Sequence, residues 1–279
     1  MAWPKDIDRR WIFLCVAVAL LVTVLWPFTQ PITPSPLVQS VYDHIEKLPE
    51  GAAVLISTDF DPQARAELVP MLEALLRHCF RRNLRVIGVT FWYSGVPLAN
   101  RIFQDLAQQH AKKPGVDYVY LGFKYGDMSQ VITNMGENFV SAYPQDARNE
   151  PTANMPIFRD LKSLRDVRYI IDLAAGETVA AWIVYGADKY RVPMAAGCTA
   201  VSGPDYYVYT NTGQLNGIIG GLRGAADYEV LLRKPAQAVL GMSAQSTVHA
   251  IIVLFVILGN VMYFRARRAA RRRKEPAHE

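Results

Sequence analysis

Two acidic residues occupy the position in this chain that most suggests chemistry, directly after a predicted buried strand. Asp59 and Asp61 lie in the stretch "STDFDP" (57–62), with one residue between them. Carboxylate oxygens are the ligands that Mg²⁺ and Ca²⁺ prefer, and a single carboxylate can also activate water. Asp61 immediately precedes Pro62, a pair typical of a helix N-terminus with aspartate as the cap. A capping role is therefore favoured for Asp61, and Asp59 is the better functional candidate.

Further polar residues follow the ends of the other predicted strands. They lie in "FWYSG" (91–95), "GFKYGD" (122–127) and "AAGET" (174–178). Ligands in doubly wound sheets usually bind beyond the carboxyl ends of the strands. We therefore predict a ligand-binding edge, and a divalent cation is possible at Asp59 and Asp61, with Asp127 or Glu177 on neighbouring loops. The full set of candidate ligand-binding residues is Asp59, Asp61, Tyr93, Lys124, Asp127 and Glu177.

The sequence lacks the common signatures of catalysis and of cofactor binding. It contains no G-x-S-x-G elbow, no G-x-x-x-x-G-K-[ST] loop, no H-E-x-x-H and no C-x-x-C, and no G-x-G-x-x-G follows the first strand. None of the five histidines falls on a predicted loop at the ligand-binding edge. Cys79 and Cys198 are compatible with a disulfide but do not require one. These observations favour a non-enzymatic protein, with no cofactor expected.

The elements that position these residues alternate between strand and helix. Five runs are apolar on both faces, and helical spacing follows them, which is typical of a parallel sheet covered on both sides. We predict a three-layer, doubly wound, Rossmann-like α/β domain with a mainly parallel five-stranded sheet over residues 50–232. The predicted strands are 52–57, 85–92, 116–123, 167–174 and 191–198. The predicted helices are 62–82, 97–112, 129–143, 157–164, 177–189 and most of 204–232.

Glycines recur at steps of three and four after the fifth predicted strand, inside a predicted helix. Each glycine costs about 1 kcal/mol relative to alanine in a helix interior, so a close approach of another backbone is expected there. The approaching backbone could belong to the sheet or to a second subunit, with a ligand a weaker alternative. Nearby tyrosines suit an interface, because they combine a large contact area with a polar end. The candidate interface residues are Tyr206, Tyr207, Tyr209, Gly213, Gly217, Gly220, Gly221 and Gly224.

Two apolar runs predict membrane-spanning helices at the two ends of the chain. Residues 11–28 contain no charge, and residues 247–264 are apolar except for His249 and Asn260. Eighteen helical residues extend about 27 Å, enough to cross the hydrocarbon core of a bilayer. A cleaved signal peptide is the alternative for the first run, but it exits through "WPFTQPITPSP" without a small-x-small site. A buried core helix is the alternative for the second run, but its basic flank argues against that.

Basic residues set the predicted orientation of both spans. The tail 265–279 carries seven lysines and arginines against two glutamates, and residues 1–10 carry three basic residues against two aspartates. Because juxtamembrane lysine and arginine remain in the cytoplasm, both termini are predicted there, at the inner membrane. The domain then lies outside, joined by a proline-rich linker with a short amphipathic helix (29–49) and a second linker (233–246). The net charge of +5 resides in the tail, which favours anionic lipid rather than nucleic acid as its contact.

One longer stretch carries a family resemblance. The run "AAGCTAVSGPDYYVYTNTGQLNGIIGGLRGAADYE", together with "TDFDP" and a span at each end, resembles an uncharacterised group of bacterial membrane-anchored α/β proteins. The likeness covers most of the predicted domain and implies no activity, cofactor or site residue.

The residues themselves favour a structural, assembly or ligand-binding module that is non-enzymatic and homo-oligomeric, or is bound to other membrane proteins. One alternative is an extracytoplasmic metal-dependent hydrolase that uses Asp59 and neighbouring acids. Another is a small-molecule sensor subunit that signals through the second span to a cytoplasmic partner.

Overall fold

The structure, a computed structural model, describes residues 9–26 and 31–272. Residues 1–8 of the predicted cytoplasmic N-terminus, the end of the predicted first span (27–28), the start of the first linker (29–30) and residues 273–279 of the basic tail lie outside the described residues. The chain divides into two compact units. Residues 32–239 form one unit, and the two chain ends form the other.

The larger unit is built on a parallel sheet of six strands in the order β3-β2-β1-β4-β5-β6. The predicted α/β class and Rossmann-like parallel sheet are thereby confirmed, but the predicted number of five strands is wrong. The sixth strand has three residues, too few to give a recognisable pattern, and it lies inside a predicted helix. The strands are β1 Ala53–Asp59, β2 Arg85–Thr90, β3 Tyr118–Phe123, β4 Val167–Ala174, β5 Met194–Cys198 and β6 Ile218–Gly220.

Helices cover both faces of the sheet. Helix α3 (Arg65–Arg81) packs against α4 (Val96–Gln109) and α9 (Gly221–Leu231). Helix α5 (Met128–Glu137) packs against a π-helical turn, Trp182–Asp188, that continues α7 (Thr178–Ala181). Apolar side chains from both faces of the strands meet these layers, which is why whole strands are buried. The helices of this unit are α2 Pro36–Lys47, α3 Arg65–Arg81, α4 Val96–Gln109, α5 Met128–Glu137, α6 Phe139–Ala142, α7 Thr178–Ala181, α8 Gly203–Asn211 and α9 Gly221–Leu231.

Several predicted helix boundaries are wrong. The predicted helix 157–164 is replaced by two short 3₁₀ turns, Pro156–Phe158 and Leu164–Asp166, around an irregular segment. The predicted helix 204–232 is interrupted between α8 and α9 by the loop that leads into β6. The second predicted linker is largely helical, because α10 (Gln237–Arg272) begins inside it and continues to the end of the described residues.

The smaller unit contains α1 (Arg9–Leu25) and most of α10. Within α10, Gln237–Arg268 has a mean hydropathy of 2.1 over its most apolar 18 residues, and none of that window is buried. Among the described residues α10 is the one helix long and apolar enough to cross a membrane. The prediction of a membrane anchor therefore has support at the C-terminal end, whereas the prediction of two spans is not supported.

Candidate functional site

A pair of buried aspartates lies at the carboxyl end of the central strands. Asp59 is the last residue of β1, and Asp172 lies in the neighbouring β4 directly opposite Ser57. Alternate residues of a strand share a face, so Ser57 and Asp59 both lie on the same face as Asp172. Both carboxyl groups are fully buried, and they lie within hydrogen-bonding reach of each other. The sequence analysis singled out Asp59 but missed Asp172.

Asp59 receives more hydrogen bonds than Asp172. The Ser57 hydroxyl donates to Asp59 Oδ2 at 2.6 Å, and the Phe91 backbone N–H donates to Oδ1 at 2.5 Å. Asp172 Oδ2 accepts a hydrogen bond from the Thr178 hydroxyl at 2.8 Å. Asp172 Oδ1 is buried, and no described group donates to it. Asp59 is thus the better stabilised of the two as an anion.

The environment of the pair keeps a proton on it. Burial raises the pKa of Asp59, against the opposing effects of the Phe91 N–H and the Ser57 hydroxyl. Burial raises the pKa of Asp172 well above its ordinary value, and the negative charge of Asp59 raises it further. Two adjacent buried carboxyl groups cannot both ionise readily. Asp172 is therefore the protonated member, and its proton gives the otherwise unsatisfied oxygen a partner on Asp59.

The pair is sealed from solvent. The Ala175 N–H donates to the carbonyl oxygen of Asp59 at 3.0 Å, which extends the pairing of β1 and β4 past the point where their loops diverge. That divergence is where such sheets usually bind a ligand. The Trp92 ring packs closely against Gly176, which directly follows Ala175, since a Cβ added to Gly176 would lie 2.9 Å from that ring. Both side chains of the pair are therefore without solvent-accessible surface in this structure.

The other predicted acids do not join Asp59. Asp61 accepts from the N–H groups of Gln63 at 2.9 Å and Ala64 at 3.3 Å, in the turn before α3. Asp127 is the N-cap of α5 and accepts from the backbone of Ser129 at 2.9 Å. Glu177 is exposed at the start of α7. No group of three or more histidine, cysteine or acidic side chains among the described residues is arranged to hold a metal ion.

An open cavity lies to one side of the aspartate pair, where β2 and β3 end. Its volume is about 730 Å³, and it brings together two of the predicted site residues, Tyr93 and Lys124. The segment that follows α6 forms the opposite wall. The lining residues are Tyr93, Val96, Leu121, Phe123, Lys124, Tyr125, Tyr143, Pro144, Gln145, Asp146, Ala147, Asn149 and Pro151.

Three aromatic rings form one wall of this cavity. Tyr93 and Phe123 pack edge to face, with ring centroids 5.7 Å apart and an angle of 73° between the rings. Phe123 meets Tyr125 in the same way, at 4.9 Å and 83°. Tyr93 and Tyr125 are nevertheless 69% and 80% exposed, so most of their ring surface faces solvent. We name Tyr93, Phe123 and Tyr125 the aromatic wall.

Of the two charged residues that line the cavity, one has an ionic partner and the other does not. Asp146 accepts from the Arg148 guanidinium at 3.0 and 3.1 Å and from the backbone N–H groups of Arg148 and Glu150. Lys124 donates to the Ala142 carbonyl oxygen and lies 5.6 Å from the centre of the Tyr143 ring. No carboxylate among the described residues pairs with Lys124. The cavity therefore carries one neutralised anion and one cation without a counter-ion.

Most of the candidate interface glycines have neighbours within their own domain. A Cβ on Gly217 would collide with the Leu37 carbonyl oxygen of α2, and one on Gly221 would lie 2.8 Å from the Cβ of Ala200. A Cβ on Gly224 would lie 2.9 Å from the backbone of Ile219 in β6. The close approach expected from the sequence is thus made inside the fold at these three positions.

The other two glycines have open space around them. A Cβ on Gly213 or Gly220 would have nothing within 4 Å. The predicted helical placement is wrong for Gly213, Gly217 and Gly220: Gly213 lies in the turn after α8, Gly217 directly precedes β6, and Gly220 is the last residue of β6. The glycine repeat at steps of three and four is therefore not contained in one helix.

The three candidate interface tyrosines differ in exposure. Tyr206 is buried, and its hydroxyl donates to the Gly176 carbonyl oxygen at 2.7 Å. Tyr209 is half-buried, with its ring centroid 6.5 Å from that of Tyr206. Tyr207 is 50% exposed on α8. Of the cluster, Tyr206 therefore has a role inside the fold, and Tyr207 presents the largest free surface.

Comparison with known proteins adds no identity. No protein-family model matches this chain, and no curated protein sequence matches it. The candidate site therefore rests on the chemistry of the residues described above.

Proposed function

We propose that this protein is a membrane-anchored module that binds a small ligand in the cavity at the carboxyl ends of β2 and β3. The observation that carries the proposal is the aromatic wall beside Lys124, in an open cavity of about 730 Å³. Small-molecule sites are commonly clefts of about 300–1,000 Å³ with aromatic walls and a few polar groups. Both the size and the lining of this cavity agree with that description.

The exposure of the aromatic wall favours binding over a purely structural role. Burial of a large aromatic side chain stabilises a protein or a complex, but most of the surface of Tyr93 and Tyr125 remains in contact with water. A ligand seated against the wall would bury both rings and would also supply the counter-ion that Lys124 lacks. The exposed rings and the unpaired ammonium group are therefore both explained by a bound ligand.

The metal-dependent hydrolase has less support. Its leading residue, Asp59, is fully buried and already accepts hydrogen bonds at both carboxylate oxygens. The other candidate acids, Asp61 and Asp127, accept backbone N–H groups at separate turns. Binding at the aromatic wall requires no rearrangement of these residues.

The contacts between the terminal helices support membrane anchoring through both of them. The hydroxyl oxygens of Thr23 in α1 and Thr247 in α10 are 3.2 Å apart, and Thr23 is buried. The end of α1 thus lies beside the first part of the apolar segment of α10. We propose that the two helices cross the bilayer as an antiparallel pair, with Arg9 and Arg265 at the cytoplasmic end. The α/β domain is then extracytoplasmic.

Hydrogen–deuterium exchange on the full chain in lipid nanodiscs tests the binding site. Three probes of different chemistry, 4-hydroxybenzoate, benzamide and glucose, are added separately. We expect at least one of them to protect the peptides that contain residues 121–126 and 143–151. The peptide that contains β6 serves as the internal reference. If none of the three changes exchange in the cavity segments, the proposed function is wrong.

Cysteine labelling in intact cells tests the orientation. Lys113→Cys places an exposed thiol in the domain, and Ala266→Cys places one beyond the apolar segment of α10. We expect a membrane-impermeant maleimide to label the first variant in intact cells and the second only after permeabilisation. Labelling of both from outside would exclude the proposed orientation.

A further inference from the structure

We infer that the ligand of the cavity is a small planar aromatic anion, of the class of aromatic carboxylates. The inference rests on the proposed function and names the ligand class of the same site. It combines a preference for a flat ring, set by the aromatic wall, with a preference for one negative charge, set by Lys124.

The ring preference follows from the geometry of the aromatic wall. Tyr93 and Tyr125 both meet Phe123 edge to face, at 73° and 83°. Aromatic rings attract one another through offset-stacked and edge-to-face contacts, and these add to the free energy of area burial. A planar aromatic ligand can continue this arrangement against the exposed faces of the two tyrosines. A saturated ring of the same size would bury similar area without that addition.

The charge preference follows from the pairing of the charged residues. Lys124 lines the same cavity as the aromatic wall, and its ammonium group lies 5.6 Å from the centre of the Tyr143 ring, on the opposite wall. The nearest acid that lines the cavity, Asp146, is neutralised by Arg148 at 3.0 Å. An anionic ligand group therefore meets an attractive charge there, whereas a cation would be repelled. Charge-assisted hydrogen bonds of this kind are about twice as strong as neutral ones.

The volume of the cavity limits the ligand to a small molecule. Lys124 and the two exposed tyrosines line one cavity of about 730 Å³. A carboxylate attached to the ring, directly or through a short spacer, can reach the ammonium group while the ring contacts the wall.

Isothermal titration calorimetry on the full chain in nanodiscs tests the class, with empty nanodiscs as the blank. The probes are 4-hydroxybenzoate, its uncharged analogue 4-hydroxybenzyl alcohol, and the saturated acid 4-hydroxycyclohexanecarboxylate. We expect 4-hydroxybenzoate to bind about tenfold more tightly than the alcohol and about fivefold more tightly than the saturated acid.

Substitutions test which residue is responsible for the charge preference and which for the ring preference. Lys124→Met should weaken 4-hydroxybenzoate about tenfold and leave the alcohol unchanged, and Lys124→Arg should restore the preference for the acid. Tyr125→Leu should weaken both aromatic probes about fivefold. Lys113→Met and Tyr185→Leu remove an exposed lysine and an exposed tyrosine outside the cavity, and they should change nothing. Thermal unfolding of each variant checks that the domain remains folded.

The outcomes separate the inference from the proposed function. If the alcohol or the saturated acid binds as tightly as 4-hydroxybenzoate, or if Lys124→Met leaves the preference unchanged in a folded protein, the aromatic anion is the wrong class. Protection of residues 121–126 by glucose or benzamide would then still support a binding module. If no probe binds or protects the cavity, both proposals fail.

Discussion

Replacing Asp172 by asparagine should remove the proton from the buried pair while keeping the shape of the side chain. The asparagine Oδ1 can still accept from the Thr178 hydroxyl, which now lies 2.8 Å from Asp172 Oδ2. Its Nδ2 can donate to Asp59, as the shared proton does in the wild-type protein. We therefore expect Asp172→Asn to fold, with Asp59 ionised and accepting one further hydrogen bond.

The sign of the pH dependence follows from the direction of the shifts. Burial raises the pKa values of Asp59 and Asp172 in the folded state above the ordinary value of 3.8. A raised pKa gives stability that is fully present below about pH 3.8 and is lost as the pH rises towards the folded-state pKa. One retained proton costs about 1.4 kcal/mol of the free energy of unfolding for each pH unit in that range.

The stability of Asp172→Asn relative to that of the wild type should therefore increase as the pH rises. The free energy of unfolding of Asp172→Asn minus that of the wild type should increase by about 1.4 kcal/mol per pH unit from about pH 4 upward, until the wild-type pair loses its proton. Other titrating groups are common to both proteins, so their effects cancel in the difference.

Urea unfolding of the full chain in nanodiscs measures this difference, with fluorescence of the buried Trp182 as the signal. Asp105→Asn, which removes an exposed carboxylate on α4, is the matched control for the loss of one carboxylate. A constant difference for Asp172→Asn would refute the shared proton. A variant that is less stable than the wild type at every pH would refute the proposed hydrogen bond to Asp59.

Three further predictions concern residues away from the cavity. Burial lowers the pKa of His78 to about 4, so neutral His78 contributes stability that is fully present above about pH 6.5 and is lost as the pH falls towards 4. This loss amounts to about 3 kcal/mol of the free energy of unfolding, and His78→Gln should reduce it in urea titrations at several pH values. Gly217→Ala should lower the free energy of unfolding by at least about 2 kcal/mol because its Cβ would meet the Leu37 carbonyl, whereas Gly220→Ala, with open space, should change it by less than about 1 kcal/mol; equal effects would contradict the packing. Glu229 accepts from the N–H groups of Ala236, Ala238 and Val239 at 2.8, 3.0 and 3.0 Å, so Glu229→Gln, with one acceptor oxygen fewer, should speed amide exchange at the start of α10 about tenfold.

The class of the fold was predictable because whole strands of a covered parallel sheet are apolar. Every residue of β1 and β5 is buried, and such runs stand out against the amphipathic helices that follow them. The sixth strand was not predictable in this way. Ile218–Gly220 has only one neighbour, β5, and the glycines around it suggested a helix face. The glycines instead permit close contacts with α2 and with the turn at Ala200.

The helical continuation into α10 was missed for a different reason. The stretch "AQAVLGMSAQS" is rich in small and polar residues, which resembles a linker in composition. It contains no proline, however, so nothing in it prevents a helix. Glu229 then supplies acceptors for the first free N–H groups, a contact between separate elements that composition does not reveal.

Sequence order determines which residues reach the same edge of a parallel sheet, but not which way their side chains point. Tyr93 and Lys124 follow β2 and β3, and the structure brings both into one cavity. Asp59 was expected beside them, but it is still inside β1, so strand alternation turns it towards the layer that contains Trp182.

A signal for its partner existed, since Asp172 is the one acid within the apolar run "YIIDLAA". A charged residue in a strand buried on both faces requires a partner, and the neighbouring strand is the nearest place for one. The opposite wall of the cavity carried no such signal, because Tyr143 and Asp146 belong to an irregular segment whose position depends on packing rather than on sequence period.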